Sequence, residues 1–191
     1  MLKKSLKILF KYYGVYRLNI RKHSPHSLVL SDDFELKEFT ADDLFYFSPL
    51  GLNDSYIHIY EKRFKSNRYK CYGVIDRSSN KLAYYAWICL LDVKFVKEIN
   101  RNFKLKQKQA VLFEDDNTTL EYRGKGIHSY VMEYRIQQAK KQGVKSVYII
   151  VYKRNIPALK TIKKFKFKRV NINPFYFRKE FMHELKLKFN K

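Results

Sequence analysis

The residues best suited to chemistry in this chain lie between positions 114 and 128. Arg123-Gly124-Lys125-Gly126-Ile127-His128 follows a strand-like segment, Ala110 to Thr118, and leads into apolar residues at helical spacing, Ile127, Tyr130, Val131 and Tyr134. Glycines in a strand-to-helix turn let the backbone approach a ligand closely. Successive N–H groups then point into one concavity, and the helix start adds a partial positive charge. A phosphate or pyrophosphate suits such a receptor. A dinucleotide fingerprint would need a third glycine where Ser129 stands, and a Walker loop would need a Gly-Lys-Ser/Thr ending; the chain has neither. Just upstream stand three consecutive carboxylates, Glu114, Asp115 and Asp116. Strand alternation predicts Glu114 and Asp116 on one face and Asp115 on the other.

The turn resembles the acyl-CoA loop of the GNAT superfamily of N-acyltransferases, whose signature is Gln/Arg-x-x-Gly-x-Gly/Ala between a strand and a helix. Arg123 and Gly126 match it, while His128 replaces the final small residue. A second family element follows at about the usual distance. It is a buried strand, Val147 to Val151, and then Asn155-Ile156-Pro157-Ala158, matching an Asn-x-x-Ala at the start of the next helix. The resemblance covers residues 108 to 170 through its motifs and the rest only through its strand pattern. It implies an α/β (α+β) fold: one GNAT-like domain, with a mixed, mostly antiparallel sheet, a central parallel strand pair splayed around acyl-CoA, and helices on both faces.

The same resemblance implies roles. Backbone N–H groups from Arg123 through Gly124, Lys125, Gly126 and Ile127 to His128 would hold the CoA pyrophosphate, with Arg123 and Lys125 adding charge. Asp116, Asn117 and Thr118 would pair with the pantetheine arm, and Asn155 would open the second cofactor-side helix. Attack on a thioester needs a neutral amine, so a base is expected; family members with a base on this strand carry it at the position matching Glu114, with Asp116 as second choice. The family tyrosine that protonates the leaving thiolate would fall at Ile162, which lies on the apolar stripe Ala158, Leu159, Ile162, Phe165 and reads as core. Tyr152 is the substitute acid, and His128 either touches a phosphate or begins the helix. The expected co-substrate is acetyl-CoA, without a metal. The expected acceptor is a primary amine of a small molecule, an amino sugar included, or of a protein. The alternative is a GNAT-fold binding module that holds nucleic acid or an anionic membrane through its basic surface.

The elements that must position these residues fit in one domain. At 191 residues the chain is long enough for a sizeable core, and 16 Tyr with 15 Phe supply its volume. Lys and Arg number 40 against 18 Asp and Glu, so a net charge of +22 favours anionic partners. Cys71 and Cys89 sit in separate apolar runs with no ligand spacing, which fits a reducing cytoplasm. No apolar run approaches the roughly 18 to 20 residues of a membrane span.

Residues 1–28 are expected as a basic N-terminal helix or arm, amphipathic up to Gly14, and residues 29–191 as the acyltransferase domain. Within the latter, Phe34–Phe39 reads as a strand, and Thr40 with Asp43 as a capping box opening a helix. Cys71–Asp76 and Leu82–Ile88 read as a hairpin, and residues 94–109 as a Lys-rich connector. The glycine turn and the helix ending near Gly143 join two parallel strands. Two last strands are expected at Phe167–Val170 and Tyr176–Met182.

Overall fold

The computed structural model describes residues 13–90 and 110–170, together with the backbone of Val93–Val96 and Arg101–Lys104. Seven strands form one sheet: β1 (Tyr13–Asn19), β2 (Phe34–Phe39), β3 (Tyr69–Asp76), β4 (Lys81–Cys89), β7 (Ala110–Thr118), β8 (Ser146–Tyr152) and β9 (Lys168–Val170). Their order across the sheet is β2-β3-β4-β7-β8-β1-β9. Every pairing is antiparallel except β7 with β8. The single parallel pair arises because the chain between β7 and β8 crosses back over the sheet through a helix.

Alternation along β3 and β4 sends side chains into two cores. On one face Tyr72, Val74, Tyr84, Ala86 and Ile88 pack with Val131, Met132 and Ile136 of helix α2 (Ile127–Lys141), and with Ile162 of α3 (Ile156–Lys164) and Phe165 just beyond it. On the other, Cys71, Tyr85 and Trp87 meet Phe47 from the 3-10 stretch Ala41–Leu50, and Tyr60 and Phe64 of α1 (Asp54–Phe64). Helices therefore cover both faces. Gly143 ends α2 in the left-handed conformation, φ +75°, with its N–H on the Lys140 carbonyl.

The capping box forms as expected. The Thr40 N–H donates to Asp43 Oδ2 at 2.9 Å, and Lys37 Nζ donates to Asp43 Oδ1 at 2.6 Å. Burial pushes the Asp43 carboxyl up, but the Lys37 and Thr40 hydrogen bonds outweigh it and hold it below its ordinary range. A depressed carboxylate contributes stability that is present above its unfolded value and lost as pH falls through the folded one. Asp43→Ala should accordingly cost about 0.5–2 kcal/mol at neutral pH, as loss of a helix cap does. Urea midpoints at pH 7 and pH 3 should show the gap between variant and wild type narrowing in acid.

Two stretches differ from expectation. Tyr13–Asn19 is a strand inside the sheet, hydrogen-bonded to β8 on one side and β9 on the other, with Arg17 donating to Ser146 Oγ at 2.9 Å. Apolar residues at helical spacing up to Gly14 and the surrounding basic residues obscured it, yet Val15 and Leu18 are buried. The helix expected upstream lies outside the described residues. The connector at 94–109 contains a separate two-stranded hairpin, β5 (Val93–Val96) with β6 (Arg101–Lys104). The strand expected at Tyr176–Met182 also falls outside the described residues.

Candidate functional site

The site begins where β7 and β8 part. Their parallel pairing runs only from Ala110↔Ser146 to Phe113↔Ile149. Beyond it β7 continues to Thr118, and among the described strands it pairs there with β4 alone. A bulge accompanies the separation. Trp87 and Tyr85, two residues apart on β4, face Glu114 and Asn117, three apart on β7, and Asp115 takes φ +53°. The extra residue corrects the alternation read from sequence. Glu114 Oε1 and Asp115 Oδ2 both turn to Arg63 of α1, at 3.4 and 2.6 Å, whereas Asp116 turns to Arg135 of α2 on the opposite face.

Between the parted strands lies an open cleft of about 810 Å³, within the range of small-molecule and cofactor sites. Glu114 through Thr118 form one wall, Ile149 to Tyr152 of β8 another, and Arg123, Gly124, Gly126, Ile127 and His128 close one end. Gly124 and Gly126 have φ of +81° and +77°, which only glycine adopts without strain. Gly126 is the residue before α2, and no acidic side chain stands in that helix's first turn. The first N–H groups of α2 thus meet the cleft without an acceptor from their own helix, beside the positive end of its dipole. Tyr122 anchors the loop by donating to Asp76 Oδ2 at 2.9 Å.

The expected site residues are distributed as follows. Arg123 lines the cleft with its Nε donating to the Thr118 carbonyl at 3.3 Å. Lys125 is turned away, its ammonium 5.1 Å from the Tyr122 ring centroid and 5.6 Å from that of Phe34. Asn155 lines the cleft and caps α3, its Oδ1 accepting from the Ala158 N–H at 3.2 Å. Tyr152 lines it too, with its ring 5.5 Å from that of Tyr13. Ile162 is 4% exposed, part of the core as read from its stripe.

His128 points inward. Its Nδ1 is 3.5 Å from the Tyr84 hydroxyl and 4.0 Å from Asp116 Oδ2. Burial pushes the imidazole below its ordinary value despite the pull of Asp116, so it is neutral at pH 7. Beneath it Arg135 is fully buried, donating to the Trp87 carbonyl at 3.1 Å and to Asp116 Oδ2 at 2.5 Å. Sequence reasoning did not single out Tyr13, Arg63, Tyr84 or Arg135. Arg135 had one signal, a charged residue on the stripe Val131, Met132, Ile136, Ala139.

Residues 119–167 match the acetyltransferase (GNAT) family. The fold is that of the GNAT acetyltransferases. One similar structure is a tandem GNAT protein from the clavulanic acid biosynthesis pathway, with TM-score 0.61 and 14% identity over 84% of this chain and 51% of that one. Another is an aminoglycoside acetyltransferase from an uncultured soil metagenomic sample in complex with trehalose, with TM-score 0.55 and 13% identity over 72% and 90% of the two chains. A third is AAC(6')-Iy in complex with a bisubstrate analog, CoA-S-monomethyl-acetylneamine, with TM-score 0.56 and 10% identity over 73% and 93%. The chain spans about half the length of the tandem protein. No curated protein matches its sequence. Among the described residues no helix is long and apolar enough to cross a membrane.

Proposed function

We propose that this protein is an acyl-CoA-dependent N-acyltransferase that moves an acetyl group from acetyl-CoA to a primary amine. The observation that carries the reading is the stretch of β7 from Asp115 to Thr118, past the end of its pairing with β8 and continuous with the glycine turn. Such a stretch offers backbone groups to the amides of the pantetheine arm, as an added strand would. The turn offers N–H groups to a pyrophosphate. The net charge of +22 steers a polyanionic thioester toward it.

In the transfer the amine nitrogen attacks the thioester carbonyl carbon. A C–N bond forms, the C–S bond breaks, the ammonium proton passes to a base, and the thiolate takes up a proton. Holding both reactants in one cleft supplies much of the rate, and a backbone N–H of β7 aimed at the carbonyl oxygen would supply an oxyanion contact. Glu114 is assigned as base, because it faces the cleft on the α1 side, away from the Asp116–Arg135 pair. Tyr152 is assigned as the acid at the β8 wall. Ile162 offers no proton, so the acid is not at that position of α3. For the acceptor, an amino sugar or another small amine fits best; one similar structure is an aminoglycoside acetyltransferase and another holds a CoA–acetylneamine bisubstrate analog.

Thermal midpoints with and without acetyl-CoA test the reading. Ligand at about a hundred times its dissociation constant adds roughly 2.7 kcal/mol of stability, so the wild type should shift upward. Gly126→Glu should not shift, since it places a carboxylate where phosphate is to bind. Its positive φ also lowers the variant's starting midpoint, so the ligand-induced change is the quantity to compare. Absence of a shift in the wild type would remove the acyltransferase reading and favour a binding module.

A further inference from the structure

Away from the cleft, three metal-ligating side chains converge beneath the sheet's helical face. Glu133 stands mid-way along α2 and is 6% exposed. A carboxylate at such a depth is costly unless its lone pairs are used. His23 Nε2 lies 2.9 Å from Glu133 Oε2 and 3.2 Å from Oε1, and Gln137 Nε2 donates to Oε1 at 2.6 Å. The third member is His26. One ligand atom from each of His23, His26 and Glu133 lies within 4.8 Å of the other two.

We infer that His23, His26 and Glu133 form a binding site for a divalent first-row transition ion, of which zinc is the best fit. Two imidazole nitrogens and one carboxylate oxygen are a ligand set suited to zinc, bound at about 2.0–2.2 Å in a tetrahedron whose fourth position takes water. Bonds of about 2.1 Å in a tetrahedron set ligand atoms about 3.4 Å apart, so the outermost atom has at most about 1.4 Å to close from 4.8 Å, a movement that falls to the half-buried loop residue His26 because His23 already sits on Glu133. The rings are already oriented. The Phe165 ring is nearly parallel to that of His23, at 22° and 6.2 Å between centroids, and meets His26 edge-on at 71° and 4.8 Å. Gln137 fixes the carboxylate by one oxygen and leaves Oε2 directed at His23, the arrangement by which an outer partner orients a ligand. Upstream, Ile20 N–H bonds the Lys145 carbonyl and His23 N–H bonds the Ile20 carbonyl, so the loop's start is pinned.

None of the three residues lines the acyl-CoA cleft, and the inference stands apart from the proposed activity. The ion would tie the loop after β1 to the middle of α2, against the residue that ends α3. Both helices present their N-terminal ends to the cleft, so the tie would fix the frame that carries it. Exposed Arg21 and Lys22 adjoin the site, and two of the ligands are nitrogen; magnesium and calcium, which demand oxygen ligands, are therefore excluded.

The test is a titration of the full chain with Zn²⁺, without acetyl-CoA, in competition with a chromophoric chelator. One ion per chain is expected, with no competition from tenfold excess Mg²⁺ or Ca²⁺. His26→Gln, which removes one imidazole from a half-exposed loop position, should weaken binding at least tenfold. Glu133→Gln should do the same if it folds, and His58→Ala should leave binding unchanged. Co²⁺ in place of Zn²⁺ should give the visible absorption of a four-coordinate site, lost in His26→Gln. Absence of stoichiometric binding, or binding unaltered in His26→Gln, would overturn the site.

Discussion

Replacing Asp116 by alanine should cost the fold about 3–5 kcal/mol, the usual penalty for removing one partner of a buried ion pair. Asp116 lines the cleft, so its loss would also register in any activity assay. The structural effect nevertheless comes first. Arg135 is 0% exposed, its guanidinium 4.3 Å from the Phe113 ring centroid, and its one charged partner among the hydrogen bonds described is Asp116 Oδ2. Burial works against the cation, but Asp116 more than offsets it, and guanidinium does not release its proton in proteins. With Asp116 gone, α2 would hold an uncompensated buried charge over the same sheet that carries the cleft. A double variant, Asp116→Ala with Arg135→Met, should recover much of the loss, because apolar replacement of both partners removes the desolvation cost as well. Urea midpoints of the four proteins give the coupling directly. A cost below about 1 kcal/mol for Asp116→Ala, or strict additivity in the cycle, would show that the pair does not hold α2 to the sheet.

That pair also marks where sequence reading stops. Features set by neighbours along the chain were legible: the Thr40–Asp43 cap, the β3–β4 hairpin, the Gly124–Gly126 turn entering α2, Asn155 at the head of α3, and Ile162 as core. Each rests on a local pattern that packing did not override. The bulge at Asp115 was not legible, because nothing in Glu114-Asp115-Asp116 signals a left-handed residue, and one extra residue reverses every later side chain on the strand. Arg135 with Asp116, and His23 with Glu133, are joined only by the crossover that lays α2 on the sheet; the second pair is 110 residues apart. β1 was hidden for a different reason. Its polar partners, Arg17 among them, are satisfied by β8, so a strand that is interior in the sheet looks like a solvated basic segment in the chain.

The bulge also decides what Glu114 can do. Without it Glu114 and Asp116 would share a face, and both would compete for one amine. With it Asp116 is committed to Arg135, while Glu114 meets the cleft from the α1 side, its Oε1 3.4 Å from Arg63 Nη2, with Asp115 beside it held closer to Arg63 at 2.6 Å. Glu114→Gln keeps the shape and removes the proton acceptor. Once an acceptor amine is in hand, the substitution should lower kcat/KM for that amine by about 10²–10⁴, the span typical of a lost general base. The thermal shift produced by acetyl-CoA should not change, since the glycine turn is untouched. The pH profile separates this role from a purely electrostatic one. A variant without a base depends on amine that is already deprotonated, so its rate should climb tenfold per pH unit below the amine's own pKa, and the deficit should shrink in alkali. A Glu114→Gln enzyme with wild-type kcat/KM at neutral pH would leave Glu114 as no more than a counter-ion for Arg63.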